Sequence, residues 1–169
     1  MTLDEELADA RVTFPNFPEE VFTLWLDDRI RQNGWPPAGI EWSGFFGGQP
    51  IAYWQSLQWR RERLTLTFEE LTPTTFMIVM QLVEAAIGKS NMMSRYIPNT
   101  AERFMSCLGY VQSNETTPGV VILHRSDLGI FVIDGNHRIA ALLAFQAGAS
   151  LGTPPLPVEA WVAGKVSDP

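Results

Sequence analysis

Phe131-Val-Ile-Asp-Gly-Asn-His-Arg-Ile-Ala-Ala-Leu142 decides how this chain of 169 residues folds. The apolar run 130–133, with its β-branched residues, predicts a short buried strand. Gly135 permits a sharp turn, and Ile139, Leu142, Leu143 and Ala147 then recur at helical spacing, which predicts a helix over 136–147. The first amides of such a helix have no partner inside it, and together with the helix dipole they make a preformed anion site. His137 and Arg138 fall in that first turn, where the dipole disfavours cations unless an anion is present. Arg138 can hold phosphate oxygens with its fork of donors, and His137 can donate to one. Asp134, at the strand end, can orient His137, hold a magnesium ion or bind a substrate hydroxyl. The plainer alternative stays open: Asp134 and Asn136 as turn and cap residues, with His137 and Arg138 merely exposed.

Working outward, a hairpin precedes the motif. Strands at 120–124 and 130–133 flank Arg125-Ser-Asp-Leu-Gly129, whose Asp127 and Gly129 suit a turn. A last strand is predicted over 156–163, after Pro154-Pro155. Before the hairpin, 61–69 alternates in part as a half-buried strand, and Thr72-Pro73 starts a helix that runs to about Ile87 and is apolar nearly all round. Residues 88–95 read as a loop. Asn99 or Thr100 caps a further helix to about Gln112, with Phe104, Cys107, Leu108 and Val111 inward.

Residues 1–17 read as an acidic arm broken by Pro15 and Pro18, and 19–33 as a helix carrying Val21, Leu24 and Trp25 on one face. From Trp35 to Trp59 the chain is rich in Gly, Pro and aromatic residues, an irregular segment with a short helix near 49–57. The predicted class is α/β in the α+β sense, a small mixed sheet flanked by helices. Residues 60–169 form the domain, and 1–59 an acidic, helical and aromatic-rich extension packed on its core.

Hydrophobic residues at 46% and charged residues at 18% describe a globular protein rather than a disordered one. No apolar run approaches the roughly 20 residues needed to cross a bilayer. The acidic start Met1-Thr-Leu-Asp-Glu-Glu lacks the features of a signal peptide, which points to a cytoplasmic protein without a membrane partner. Residues 1–28 hold eight acidic side chains against Arg11 alone, so they carry the whole net charge of −7 and the remainder is neutral. A duplex DNA binder needs an excess of Lys and Arg, and the chain has only Lys89 and Lys165 as lysines. That balance argues against duplex DNA while permitting a pocket for one nucleotide.

The run Asp134-Gly135-Asn136-His137-Arg138-Ile139-Ala140-Ala141 resembles the signature of the ParB/sulfiredoxin-like superfamily, whose members carry variants of Gly-x-[His/Arg]-Arg-x-x-Ala at a strand–helix junction. The resemblance covers roughly residues 60–164, strongly over 119–146. It implies a nucleotide site in which Gly135, Asn136, His137 and Arg138 contact phosphates, with ATP or another nucleotide and Mg2+ as cofactors and Asp134 as metal ligand. Members include a CTP-binding partition protein, sulfiredoxin, a free serine kinase and proteins described as ParB-like nucleases. Asn136 stands where sulfiredoxin needs a cysteine, which excludes that activity. The partition proteins favour Arg-Arg and add a basic helix-turn-helix domain that this chain lacks. The nearest form is the kinase-like Asp-Gly-His-His-Arg, with Asn136 as the departure. There a glutamate from an earlier segment acts as base, and Glu69, Glu70 and Glu84 are the candidates here. The implied activity is NTP hydrolysis or phosphoryl transfer by Asp134, His137 and Arg138. The alternatives are a non-catalytic nucleotide-sensing or protein-interaction module, of toxin, effector or plasmid-accessory type, and a nuclease.

Lys89, Ser90, Ser94 and Arg95 form a polar loop that can supply a second set of phosphate contacts, or can simply be solvated. Gly88-Lys89-Ser90 is not the end of a P-loop, because Val83 occupies the position of the required first glycine. Cys107, the chain's one cysteine, reads as core, and His124 as structural or exposed. The aromatic stretch 35–59 reads mainly as core, with stacking on a base or a protein partner as the other option.

Overall fold

The hairpin forms from two short strands that share the turn at 126–129, β2 (Val121–Ser126) and β3 (Gly129–Asp134), paired antiparallel with Arg125 opposite Ile130 and Leu123 opposite Val132. The helix that follows, α8 (Asn136–Ala147), begins two residues after the strand ends. In this computed structural model the described residues are 1–42, 44–90 and 92–166; Ser43, Asn91 of the predicted loop and 167–169 lie outside them. The fold is α+β, with a four-stranded mixed sheet in the order β1-β4-β2-β3, where β1 is Gln58–Thr65 and β4 is Pro157–Gly164. The chain divides into two compact units, Met1–Arg60 with the residues from Ala163 onward, and Arg61–Val162.

In the second unit three helices cover the sheet: α5 (Pro73–Ala86), α7 (Thr100–Asn114) and α8. Their contacts bury Val79, Leu82, Phe104, Val111, Ile139 and Leu142 against Leu123, Val132, Val158 and Val162 of the sheet. Burial of this kind is worth roughly 1.5–3 kcal/mol per large aliphatic side chain. Thr72 caps α5 as predicted, its hydroxyl accepting from the Thr75 amide at 3.3 Å. Two further bonds pin this helix start to the edge of β3: the Thr72 amide donates to Ile130 O at 2.9 Å, and the Val132 amide to Thr75 Oγ1 at 3.1 Å. Gly129 is required at that contact, because its φ is +115° and a Cβ would lie 2.5 Å from Glu70 O. At the far end of α8, Gln146 donates to Leu66 O and accepts from the Leu156 amide, which ties the exit of β1 to the approach of β4.

Several expectations change. Helix α5 is not apolar all round in its surroundings: Phe76 and Met77 are exposed, and only Thr75, Val79, Leu82 and Ala85 are fully buried. The predicted loop after it contains a short helix, α6 (Met92–Tyr96). The first strand begins three residues earlier than predicted and ends at Thr65, after which Phe68–Glu70 form a 3-10 turn.

In the first unit the acidic arm is a helix, α1 (Leu3–Thr13). Thr2 and Glu5 form a reciprocal capping box, and Asp4, Glu5 and Glu6 in the first turn suit the dipole, so the acids that suggested a solvated arm in fact support a helix. The helix over 19–33 is present but contains a π-helical stretch, Phe22–Asp27, between α2 (Glu19–Val21) and α3 (Asp28–Asn33). The wider turn rotates the buried face onto Phe22, Trp25, Leu26 and Ile30 and turns Leu24 outward. The short helix near 49–57 is α4 (Ile51–Gln55). Trp25, Trp35, Trp42, Phe46 and Trp54 are buried and pack ring on ring, with centroids 4.9 Å apart for Trp25 and Trp54 and 5.9 Å for Trp42 and Phe46. These rings are the interior of this unit. No helix of the described residues is long and apolar enough to cross a membrane.

Candidate functional site

The site is built from a defect in the hairpin. Ile122 pairs with Asp134 and Leu123 with Val132, so Ile133 has no opposite residue and β3 bulges one position before its end. The bulge breaks the alternation of the strand, and Ile133 and Asp134 both line the same cleft instead of facing opposite sides. Gly135 then takes a left-handed conformation with φ +101°. A Cβ there would sit 2.7 Å from Val121 Cγ1 and 3.1 Å from Arg138 Nε, so both space and backbone demand glycine. Helix α8 starts at once, without a side-chain cap, which leaves the amides of Asn136, His137 and Arg138 without a helical acceptor.

The cleft over this corner has a volume of about 860 Å3. It is lined by residues 133–138, by Ile78 and Leu82 of α5, and by residues of α7. A space of this size suits a ligand of nucleotide dimensions.

The three polar side chains of the motif have different fates. Arg138 donates to protein through both terminal nitrogens: Nη2 to Asp134 Oδ2 at 2.5 Å, and Nη1 to Val120 O at 2.8 Å and Pro118 O at 3.2 Å. It therefore clips the segment before β2 to the end of β3, with its terminal nitrogens placed on one carboxylate and two carbonyls. His137 is half-buried, and its Nε2 is enclosed without a hydrogen-bond partner. Burial, and second the positive charge of Arg103, hold its pKa below the ordinary value, so the imidazole is neutral at pH 7. Asn136 Oδ1 is likewise enclosed and unpartnered. Both residues line the cleft, while these two atoms themselves are turned away from its surface.

Helix α7 brings residues that the motif reading omitted. Asn99, Glu102, Arg103, Ser106 and Cys107 line the cleft, a spacing of three, four, seven and eight residues that sets them on one face. That stripe was visible in the sequence, but a polar stripe on a helix ordinarily reads as a solvent face. Cys107 is half-buried and packs against the core while also reaching the cleft; burial pushes its thiol pKa up, partly offset by Arg138 and Arg103. His124 is buried in β2, and burial lowers its pKa.

The other predicted site residues lie elsewhere. Glu69 and Glu70 are on the 3-10 turn; Glu70 accepts from the Thr67 amide and hydroxyl, and lines a separate groove with Arg63 and Arg125. Glu84 is exposed on α5, and its carbonyl accepts from the Lys89 amide. Lys89, Ser90, Ser94 and Arg95 are absent from the cleft wall, where Met93 of the same segment stands. Glu102 is the glutamate that the fold brings to the cleft. Asp134, the predicted magnesium ligand, has Oδ2 committed to Arg138, and the described residues hold no group of three or more His, Cys, Asp or Glu side chains placed for a metal ion.

Comparison with protein-family models, with curated proteins and with solved structures finds no match for this chain.

Proposed function

We propose that this protein is a nucleotide-binding enzyme that hydrolyses a nucleoside triphosphate or transfers its phosphoryl group, with the phosphates held at the corner between β3 and α8. The observation that carries the reading is the uncapped start of α8, opening on a cleft of nucleotide size that Asn136, His137 and Arg103 also line. The likeness of residues 134–141 to the ParB/sulfiredoxin motif agrees with it.

In this reading the amides of residues 136–138 bind phosphate oxygens, and the Asn136 side chain orients the ligand by hydrogen bonding. His137, kept neutral by burial, accepts the proton of the attacking hydroxyl or water. Arg138 acts as a positioning residue, holding the turn through Asp134, Val120 and Pro118. The chemistry of a magnesium ion, when it accompanies the nucleotide, is neutralisation of phosphate charge. Asp134 and Glu102 line the cleft and are the residues that would hold it, in keeping with its habit of using one or two carboxylates beside phosphates.

Isothermal titration with ATP, ADP, CTP and GTP in the presence of magnesium tests the proposal, and absence of heat with all four contradicts it. The engagement of Arg138 by protein groups favours a second reading, a module that binds nucleotide without turnover. Release of labelled phosphate by the wild type, lost in His137→Ala, decides for the enzyme.

A further inference from the structure

A polyphosphate at the start of α8 needs a cation, and the one written into the motif is occupied. Arg138 gives both terminal nitrogens to Asp134, Val120 and Pro118, and its Nε faces Gly135. The cleft carries another guanidinium. Arg103 lines the same cleft from α7, its side chain is exposed, and among the described residues it makes no ion pair or side-chain hydrogen bond.

We propose that Arg103 is the residue that binds the anionic end of the ligand, and that the ligand class is a chain of at least two phosphates. The assignment rests on the nucleotide reading and adds to it a specificity that the motif does not contain. The amides of 136–138 and the Arg103 guanidinium line one cleft of about 860 Å3, and a ligand with linked phosphates offers an anionic group to each. The charge of Arg103 lowers the pKa of His137, after burial, and on its own helix opposes the effect of burial at Cys107. Asn99 and Ser106, one turn to either side, offer neutral donors along the same face. Glu102 also lines the cleft and opposes a bare anion there, which favours a ligand carrying its own counter-cation. A guanidinium suits the role better than an ammonium because its fork matches two oxygens at once.

The test uses the full chain and three probes: magnesium pyrophosphate, orthophosphate and ATP. Affinities are measured for the wild type, Arg103→Gln and Arg103→Lys. Alkylation of Cys107, the only thiol, by iodoacetamide reports occupancy of the cleft independently. The wild type is expected to bind pyrophosphate at least tenfold more tightly than orthophosphate, and bound pyrophosphate to slow alkylation. Arg103→Gln is expected to lose about tenfold for pyrophosphate and ATP, with Arg103→Lys in between and thermal melting unchanged in both, because the side chain is exposed. An Arg103→Gln protein with wild-type affinity for ATP and pyrophosphate overturns the role of Arg103 while leaving the nucleotide reading intact. Binding of pyrophosphate that depends on Arg103, without binding of any nucleotide, overturns the nucleotide reading and keeps Arg103. Failure of the wild type to bind pyrophosphate, or equal affinity for orthophosphate, overturns the inference itself.

Discussion

Arg138 donates through Nη2 to Asp134 Oδ2 at 2.5 Å, four residues back along the chain, while its Nη1 donates to the carbonyls of Val120 and Pro118. One side chain thus joins the end of β3, the first turn of α8 and the segment leading into β2. Both partners of the ion pair are partly shielded, with side-chain exposures of 22% for Arg138 and 39% for Asp134. Arg138→Ala removes three bonds and leaves two carbonyls short of a donor. The expected loss is about 2–3 kcal/mol in urea unfolding, with Arg138→Lys recovering less than half because an ammonium cannot fork. A loss below about 0.5 kcal/mol would show that the clip has no structural weight.

Gly135 carries two constraints at once, a φ of +101° and a neighbour 2.7 Å from any added Cβ. Gly135→Ala is expected to cost about 1–3 kcal/mol from the backbone, with further loss from displacement of Val121. Gly148, which ends α8 with φ −86° and has no atom closer than 3.7 Å to a built Cβ, serves as the control. Gly148→Ala is expected to leave stability nearly unchanged in the same unfolding assay.

Helix α7 ends on Glu115 in the left-handed conformation, φ +55°, where glycine is the favoured residue. Glu115→Gly relieves that conformation and is expected to stabilise the protein by about 0.5–1 kcal/mol, after allowance for the entropy of glycine. A rise of a few degrees in melting temperature checks it; a fall would mean that the glutamate makes contacts worth more than the relief.

Both histidines have folded pKa values depressed by burial. The unfolded chain therefore takes up protons first as pH falls. The stability contributed by keeping them neutral is complete above the ordinary histidine value of about 6.5 and drains away as pH drops toward the depressed folded values. Melting temperature is expected to be level between pH 7 and 8 and to decline from pH 6.5 downward, with a shallower decline in His124→Gln and His137→Gln. A melting temperature that rises on acidification over this interval would contradict the buried placement of both imidazoles.

The strand, turn and helix over 129–147 were legible because the spacing of apolar residues changes from strand to helix across a single glycine, and no tertiary information is needed to see it. The cap at Thr72 was legible for the same local reason. The capping box of Thr2 and Glu5 was equally local, but the surrounding acids and Pro15 drew the reading toward an arm. The π-helical stretch was not legible, since an inserted position in a helix leaves no mark on a 3.6-residue pattern until the partners are known. At the site, the motif marks the strand–helix corner but not the partners of Arg138. The carbonyls that accept from Arg138 lie 18 and 20 residues earlier in the chain, and Arg103, which also lines the cleft, comes from a helix whose polar stripe resembles any solvated face. The bulge at Ile133, which lets Asp134 share the cleft, depends on the register of the hairpin and is invisible in one strand alone.

The proposed phosphate contacts are the peptide nitrogens at the start of α8. Backbone amide NMR during titration with magnesium ATP reads them residue by residue. The largest shifts are expected on Gly135, Asn136, His137 and Arg138, with smaller ones on the cleft face of α7 between Asn99 and Cys107. Binding with those amides unmoved and the shifts gathered elsewhere, for instance around Arg63 and Arg125, would contradict the proposal.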